Sequence, residues 1–341
     1  MTTVDYTRRR GVGASISHFV RLREIPVSVA LIALVVITYV ANPRFLSSQS
    51  TKDLLLNATI VIILATGQAL VLITRNVDLS IGSILGLSGF LTGTLFSTFP
   101  EIPIPLVFVA GIAIGVVLGA VNGLLVTTAG VPALVITLGT LYIYRGINNA
   151  WAGGKEYFSG DRPAAFGNLS VDTVLGFPLI TLIALAVLAV IAVALAATRA
   201  GRDFYAIGSD PDAAKLFGIP IKRRVFTAFV ANGALAGLAG VLYASRFSSV
   251  GATTGTGIEL DVVAAAVVGG VAIFGGSGTV IGAAIGALLL TTITSSLTAL
   301  RVDKFWQQAV VGALILSAII IDRIASLRTA RKLRVSEARD V

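Results

Sequence analysis

The stretch "GRDFYAIGSDPDAAKLFGIPIKRR" (residues 201–224) reads as the surface of a water-soluble protein, yet it lies mid-chain in a sequence otherwise close to pure hydrocarbon. The 341 residues are 55% hydrophobic and only 13% charged, with a mean hydropathy of +0.92. A soluble domain carries about 25% charged residues, so this chain has too few to cover a surface facing water. It reads as an all-α polytopic membrane protein, and the charged stretch as a loop kept outside the bilayer.

Outward from that loop, Pro, Gly and charge clusters divide the chain into about ten apolar stretches, at 26–41, 54–74, 80–98, 105–127, 131–150, 177–198, 225–245, 258–274, 279–298 and 305–322. Crossing the hydrocarbon core takes roughly 17 to 25 apolar residues as a helix. The first and eighth stretches are short, which leaves open a count one lower with one re-entrant segment. No small-residue cleavage site follows the first stretch, so it reads as a retained span and not a signal peptide.

Basic residues fix an orientation. With both termini cytoplasmic, Arg8, Arg9, Arg10, Arg21 and Arg23, the middle-loop residues Arg199, Arg202, Lys215, Lys222, Arg223 and Arg224, and a C-terminal set from Arg323 to Arg339 all fall on one side, with most of the 26 Lys and Arg. That is the positive-inside pattern. The expected organisation is a tail at 1–25, a membrane domain at 26–322 holding the cytoplasmic loop 199–224, and a basic tail at 323–341. The net charge of +9 then reports orientation beside lipid and not a nucleic-acid surface. Cysteine is absent and His18 is the only histidine, which excludes thiolate and imidazole metal sites and Ser-His-Asp chemistry.

Glycine recurs at helical spacing at Gly111, Gly115, Gly119 and Gly123, at Gly278, Gly282 and Gly286, and at Gly82, Gly86 and Gly93. Each series makes a flat stripe along which another helix can approach closely.

Three polar clusters interrupt the spans. In the middle loop, Ser209 or Asp210 as N-cap, Pro211 at the first helical position, Asp212 in the first turn and Gly218 as the stop encode a helix of about two turns. Such a helix is too short to be stable alone and leaves Leu216, Phe217 and Ile219 in need of cover, from a cytoplasmic partner or from lipid headgroups beside Lys222, Arg223 and Arg224. In the second cluster, residues 74–83, Asp78 and Ser80 are placed to cap the following helix. The third, residues 269–278, is glycine-dense but lacks the Lys-Ser/Thr of a phosphate loop, and no G-x-x-x-x-G-K-[ST] occurs anywhere. No nucleotide site is visible in the chain.

Ionisable residues within spans are few: Arg145, able to snorkel to an interface, and Glu259 and Asp261, placed where a helix N-terminus favours acids. Neutral polar groups along the spans, Gln68, Asn122, Thr137, Thr140, Asn148 and Asn232, suit either the route of a hydroxyl-rich solute or bonds to neighbouring helices.

Together the three loops resemble the permease subunits of bacterial ABC importers for monosaccharides, the ribose, xylose, rhamnose and autoinducer-2 group. "NVDLSIGS" (residues 76–83) is similar to that family's signature turn, carried by Asp78, Ser80, Gly82 and Ser83. "ELDVVAAAVVGGVAIFGGSGTVIGAAIGALL" (residues 259–289) is similar to its second signature, carried by Glu259, Asp261, Gly269, Gly270, Gly275, Gly276 and Gly278. Asp212, Ala213, Ala214, Gly218 and Ile219 match the E-A-A-x-x-x-G-I core of its coupling helix, with Asp in place of Glu and with Lys215 and Phe217 between. "TLGTLYIYRGI" and "WAGGK" are most similar to the rhamnose and autoinducer-2 branch.

The resemblance implies a transport subunit and not an enzyme, in a bacterial cytoplasmic membrane. It binds no cofactor itself; ATP and Mg²⁺ sit on partner ATP-binding cassette subunits, a second permease copy or relative completes the pore, and an extracytoplasmic binding protein delivers sugar to the outer stretch 151–176. Competing classes are a secondary carrier or facilitator for a neutral solute, and a non-transporting scaffold.

Overall fold

The computed structural model describes residues 24–303 and scattered positions from 306 to 320. Both expected basic tails, apart from residues 24 and 25, and much of the stretch 305–322 lie outside the described residues. In chain order the helices are α1 Glu24–Ala41, α2 Ser48–Ile73, α3 Ile81–Thr98, α4 Ile104–Thr128, α5 Ala133–Ala152, α6 Ala164–Asn168, α7 Leu179–Ala197, α8 Arg199–Ser209, α9 Pro211–Leu216, α10 Ile221–Arg246, α11 Ile258–Val268 and α12 Val280–Ala299. Seven of them, α1, α2, α3, α4, α7, α10 and α12, are long and apolar enough to cross a membrane. The 20-residue α5 is also long enough, but it carries Arg145, Asn148 and Asn149.

The helix α2 occupies the centre and is almost wholly buried, whereas α1 faces outward along nearly its whole length. Its start is fixed by Ser47, whose hydroxyl accepts from the Ser50 amide at 3.3 Å. Asn42, in the turn between α1 and α2, donates from its side chain to the Ala299 carbonyl at 3.0 Å and so ties that turn to the end of α12.

Glycine sets the closest helix pair. Gly111, Gly115 and Gly119 of α4 lie against Gly237, Gly233 and the Phe229 carbonyl of α10, so the two run antiparallel in backbone contact. A Cβ on Gly115 would stand 2.9 Å from the Gly237 backbone, closer than a methyl group can sit. The partner spacing Gly233-x-x-x-Gly237 is the same small-residue signal. The stripe of α3 behaves otherwise than expected: Gly82 and Gly86 receive the irregular chain at Thr254 and Gly255, and Gly93 receives the Tyr157 ring. Only the first turn of α11, Ile258 and Glu259, reaches that stripe, at Gly82, because the chain after α10 does not resume a helix until Ile258.

The expected span 258–274 likewise comes out shorter. Its helix α11 has 11 residues, a rise of about 16 Å, half of the ~30 Å hydrocarbon core. Gly269, Gly270, Gly275, Gly276 and Gly278 then carry the chain through a turn before α12, where Gly282 and Gly286 pack on Gly269 and the Ala265 carbonyl. Gly276 sits at φ +73 against Ser209, a conformation costly to any residue with a Cβ.

Beyond α5 a small cap is built from strand β1 Tyr157–Phe158, the helix α6, and the hairpin of β2 Thr173–Val174 with β3 Phe177–Pro178. Its anchor is Phe166, fully buried, 4.8 Å from the Phe96 ring. β1 pairs antiparallel with β4 Ser249–Val250, and Arg162 donates to the Phe247 carbonyl at 3.0 Å.

Replacing Gly115 by Leu should remove the folded, monodisperse species in detergent, since each group forced into a packed interface costs about 1–3 kcal/mol. Gly139→Ala, where nothing lies within 4 Å, should leave the thermal midpoint unchanged or slightly raised.

Candidate functional site

Between α2 and α3 the chain makes a tight turn at Thr74 and Arg75, the latter at φ +68, and then runs back alongside α2. Gln68 pairs with this returning strand: with its amide nitrogen turned to the Asp78 carbonyl it also accepts from the Asp78 amide, both at 3.2 Å. Gln68 stands about 7 Å along the helix from Ile73. Asp78 is therefore carried into the bundle, and α3 begins inside it.

The Asp78 carboxylate is fully buried and takes four hydrogen bonds, all from neutral groups. The Ser80 amide (2.9 Å), the Ser80 hydroxyl (2.7 Å) and Asn122 of α4 (3.5 Å) reach Oδ1, and Asn232 of α10 (3.0 Å) reaches Oδ2. Asn122 also donates to the Ser80 hydroxyl at 2.7 Å and accepts from Tyr144 of α5 at 3.1 Å, while Thr137 of α5 donates to the Val77 carbonyl at 3.2 Å. The carboxylate thus joins the start of α3 to α4 and α10, and the Asp78 backbone, Val77 and Asn122 bring in α2 and α5. The expected cap is corrected here: the Ser80 side chain makes no capping bond to α3 and spends its hydroxyl on Asp78. Ser83 turns away and donates to the Leu141 carbonyl at 2.9 Å.

Of the six polar residues considered for a solute route, Gln68, Asn122, Thr137 and Asn232 converge on this node, Thr140 donates to the Thr137 carbonyl at 3.3 Å, and all six are buried. Asn148 stands apart, donating to the Ala252 carbonyl at 3.2 Å. Nearby Arg145 donates to the Thr254 carbonyl and, at 3.4 Å, to that of Ala252, so it ties down the chain before α11 instead of snorkelling. Glu259 and Asp261 occupy the first turn of α11. Two adjoining clefts reach this turn from the end where α2 starts. One of about 440 Å³ runs from Asn42, Ser50 and Asp53 to Asn57 and Thr294; the second, about 370 Å³, continues from those two residues to Thr291, Ile258 and Asp261.

At the other end the middle loop is a projecting knob. Asp210 caps α9, accepting from the Asp212 and Ala213 amides at 3.0 Å each, and Gly218 ends it at φ +74. Ala214 is buried and Ile219 packs on the core, while Asp212 and Lys215 are exposed and Leu216 and Phe217 are 88% and 85% exposed. The sequence reading took α8 for plain loop. Its signals are Thr198, which caps it through the Gly201 amide (3.1 Å), and Gly201, Phe204 and Gly208 on one buried face. Tyr205 of α8 donates to the Gly278 carbonyl at 2.9 Å, and burial, then the Glu24 carboxylate, push its phenol above the usual range so that it stays a donor. The Gly276 amide donates to the Ile73 carbonyl at 3.0 Å, Gly275 lies against Arg75, and Asp203 pairs with Arg224 at 2.7 Å. The knob is therefore mounted on the ends of α2, α10 and α12.

A buried helical bundle with chain breaks inside it, clefts reaching one of them and an apolar knob at the opposite end has the architecture of a multi-pass transport permease. The chain belongs to the family described as branched-chain amino acid transport system / permease component, which matches residues 50–319. Among curated proteins it is 38% identical over 317 residues to the autoinducer 2 import system permease protein LsrC of Enterobacter sp. (strain 638), covering 92% of this chain and 91% of that one. The protein of the same name from Escherichia coli (strain K12 / DH10B) is 38% identical over 92% of this chain and 90% of its own, and that from Salmonella typhimurium (strain LT2) 37% over 92% and 89%. No solved structure matches.

Asp78→Ala strands the donors of Ser80, Asn122 and Asn232, and each buried donor left unsatisfied costs about 1–3 kcal/mol. The expected loss is at least about 3 kcal/mol of stability, read as a fall in the thermal midpoint of the purified protein, with Asp78→Asn less damaging.

Proposed function

We propose that this chain is the membrane permease of an ATP-driven importer in the bacterial cytoplasmic membrane, taking up autoinducer 2 or a related small, hydroxyl-rich monosaccharide derivative. The identity to three LsrC proteins over nine-tenths of the chain carries the substrate class. The exposed knob carries the mechanism. Leu216 and Phe217 place two large apolar side chains at the tip of a six-residue helix, and such a tip fits a pocket on another protein.

In this reading both termini and the knob are cytoplasmic, the chain crosses about ten times if α11 with its glycine turn and the stretch 305–322 complete the count, and a second permease subunit joins the first. ATP and Mg²⁺ are held by partner cassette subunits, and a binding protein docks on the outer cap. Closure of the ATPase pushes α9; α8 passes the movement to the ends of α2 and α12 through Gly276, whose backbone lies on that of Gly208 and Ser209 and cannot yield by changing rotamer, and through the Tyr205 hydroxyl on the Gly278 carbonyl.

Leu216→Asp with Phe217→Asp should lower ATP-dependent uptake by at least about ten-fold, the loss of a docking hot spot, in proteoliposomes holding permease, ATPase and binding protein. Membrane insertion and thermal midpoint should stay normal. Wild-type uptake in that variant would end the coupling role, and concentrative uptake by the permease alone would favour a secondary carrier.

A further inference from the structure

Where the knob meets the bundle a further cavity opens, of about 310 Å³, within the range of small-ligand pockets (about 300–1,000 Å³). Its walls come from both parts. Ile207 of α8 and Pro211 of α9 belong to the knob, whereas Arg75 and Asn76 after α2, Thr127 at the end of α4 and Lys222 at the start of α10 belong to the bundle. Most of the remaining lining is apolar, and no carboxylate lines it. Asp210, next to Pro211, spends its Oδ1 on the α9 amides, and Asp212 is exposed.

The two cations are free. Among the described residues neither Arg75 nor Lys222 has a carboxylate within ion-pair distance. Asn76 donates to the Thr74 carbonyl and Thr127 to that of Gly123, both locally, so a guanidinium and an ammonium are the donors left over. The backbone under Arg75 asks for a different residue. The Arg75 amide donates to the Leu72 carbonyl at 2.8 Å and the Asn76 amide to that of Val71 at 3.1 Å, the paired bonds of a helix end whose left-handed residue is usually glycine. An arginine held there at φ +68 is carried against its backbone preference, which points to a use for the side chain. The start of α10 adds positive character of its own, since no side chain caps it.

The cavity also stands at the right level. It lies at the ends of α2, α4 and α10, and just before Thr127 on α4 the apolar side chains of Val121, Leu124 and Leu125 are exposed. We propose that it holds the phosphate of an acidic phospholipid from the cytoplasmic leaflet, with Arg75 and Lys222 donating to the phosphate oxygens and the acyl chains running along α4. Basic pockets between spans take such headgroups. Because its walls belong to knob and bundle alike, an occupied cavity braces the knob on its mount. The cytoplasmic placing rests on the importer reading above; the cavity and its charge do not.

The full-length permease in neutral detergent is titrated with phosphatidylglycerol, phosphatidylcholine or inorganic phosphate, and followed by thermal midpoint and native mass spectrometry. Phosphatidylglycerol should bind and raise the midpoint; the other two should not. Arg75→Gly with Lys222→Gln should weaken that binding roughly thirty-fold, the weight of two basic residues at an anionic surface, while the lipid-free midpoint holds or rises because glycine suits φ +68. Arg199→Gln with Arg202→Gln, exposed cations of α8 outside the cavity, should leave binding unchanged. Amide exchange over residues 209–218 should slow with phosphatidylglycerol in the wild type and not in the first pair.

Binding that is absent, that survives the first pair, or that falls equally with the second overturns the proposal, the last by showing diffuse attraction to a basic face. Inorganic phosphate acting as well as the lipid assigns the cavity to a free anion and overturns the lipid. Unslowed exchange overturns the bracing. If the first pair does not fold, Lys222→Gln alone, with an expected loss of roughly five-fold, decides. These readings need neither the ATPase nor the solute, so their failure leaves the importer reading standing, and absent uptake leaves the lipid binding interpretable.

Discussion

A peptide group inside hydrocarbon must find a hydrogen-bond partner within the protein or in water, and this chain puts such groups at risk twice, at residues 74–80 and 247–257. At the first, the partners are side chains. Gln68 takes both backbone groups of Asp78, Thr137 takes the Val77 carbonyl, and the carboxylate itself gathers Ser80, Asn122 and Asn232. The polar residues of the buried spans are largely explained by that need. Removing one of them exposes a neighbour as well as itself, so the node behaves as a unit.

The node depends on close helix approach. Asn122 lies one residue before Gly123 and Asn232 one before Gly233, on α4 and α10, whose glycine faces bring the two backbones together. Wider spacing would carry both amides out of reach of Asp78. The glycine stripes and the buried carboxylate are in this sense one feature: the first sets the distance that the second requires.

Much of this was legible in the sequence. The spans α2, α3, α4, α7, α10 and α12 fall within a few residues of their expected places apart from six-residue and four-residue extensions at the starts of α2 and α10, since runs of apolar residues ended by Pro or charge leave little choice. Asp210, Pro211 and Gly218 specified α9, and the structure bears out that helix. The family was legible in three motifs. Three things were not. The start of α11 at Ile258 and the shortness of its stretch were read, but hydropathy cannot tell a helix from an apolar irregular segment of similar composition, so the end of that helix at Val268, before the glycine turn, was hidden. Polar residues spaced far apart in sequence carry no sign of whom they meet, so Gln68, Asn122, Thr137 and Asn232 read as scattered when they share one partner. Tyr205 carries its contact to Gly278 with no local pattern at all.

The pairing of β1 with β4 has a consequence for how the two faces of the protein communicate. Through Tyr157 and Val250 the cap is stitched to the very strand that leads into α11, while the turn leaving α11 is held from the other end by α8. A displacement of the cap and one of the knob would therefore reach the same short helix from opposite ends, as two hands on a single rope.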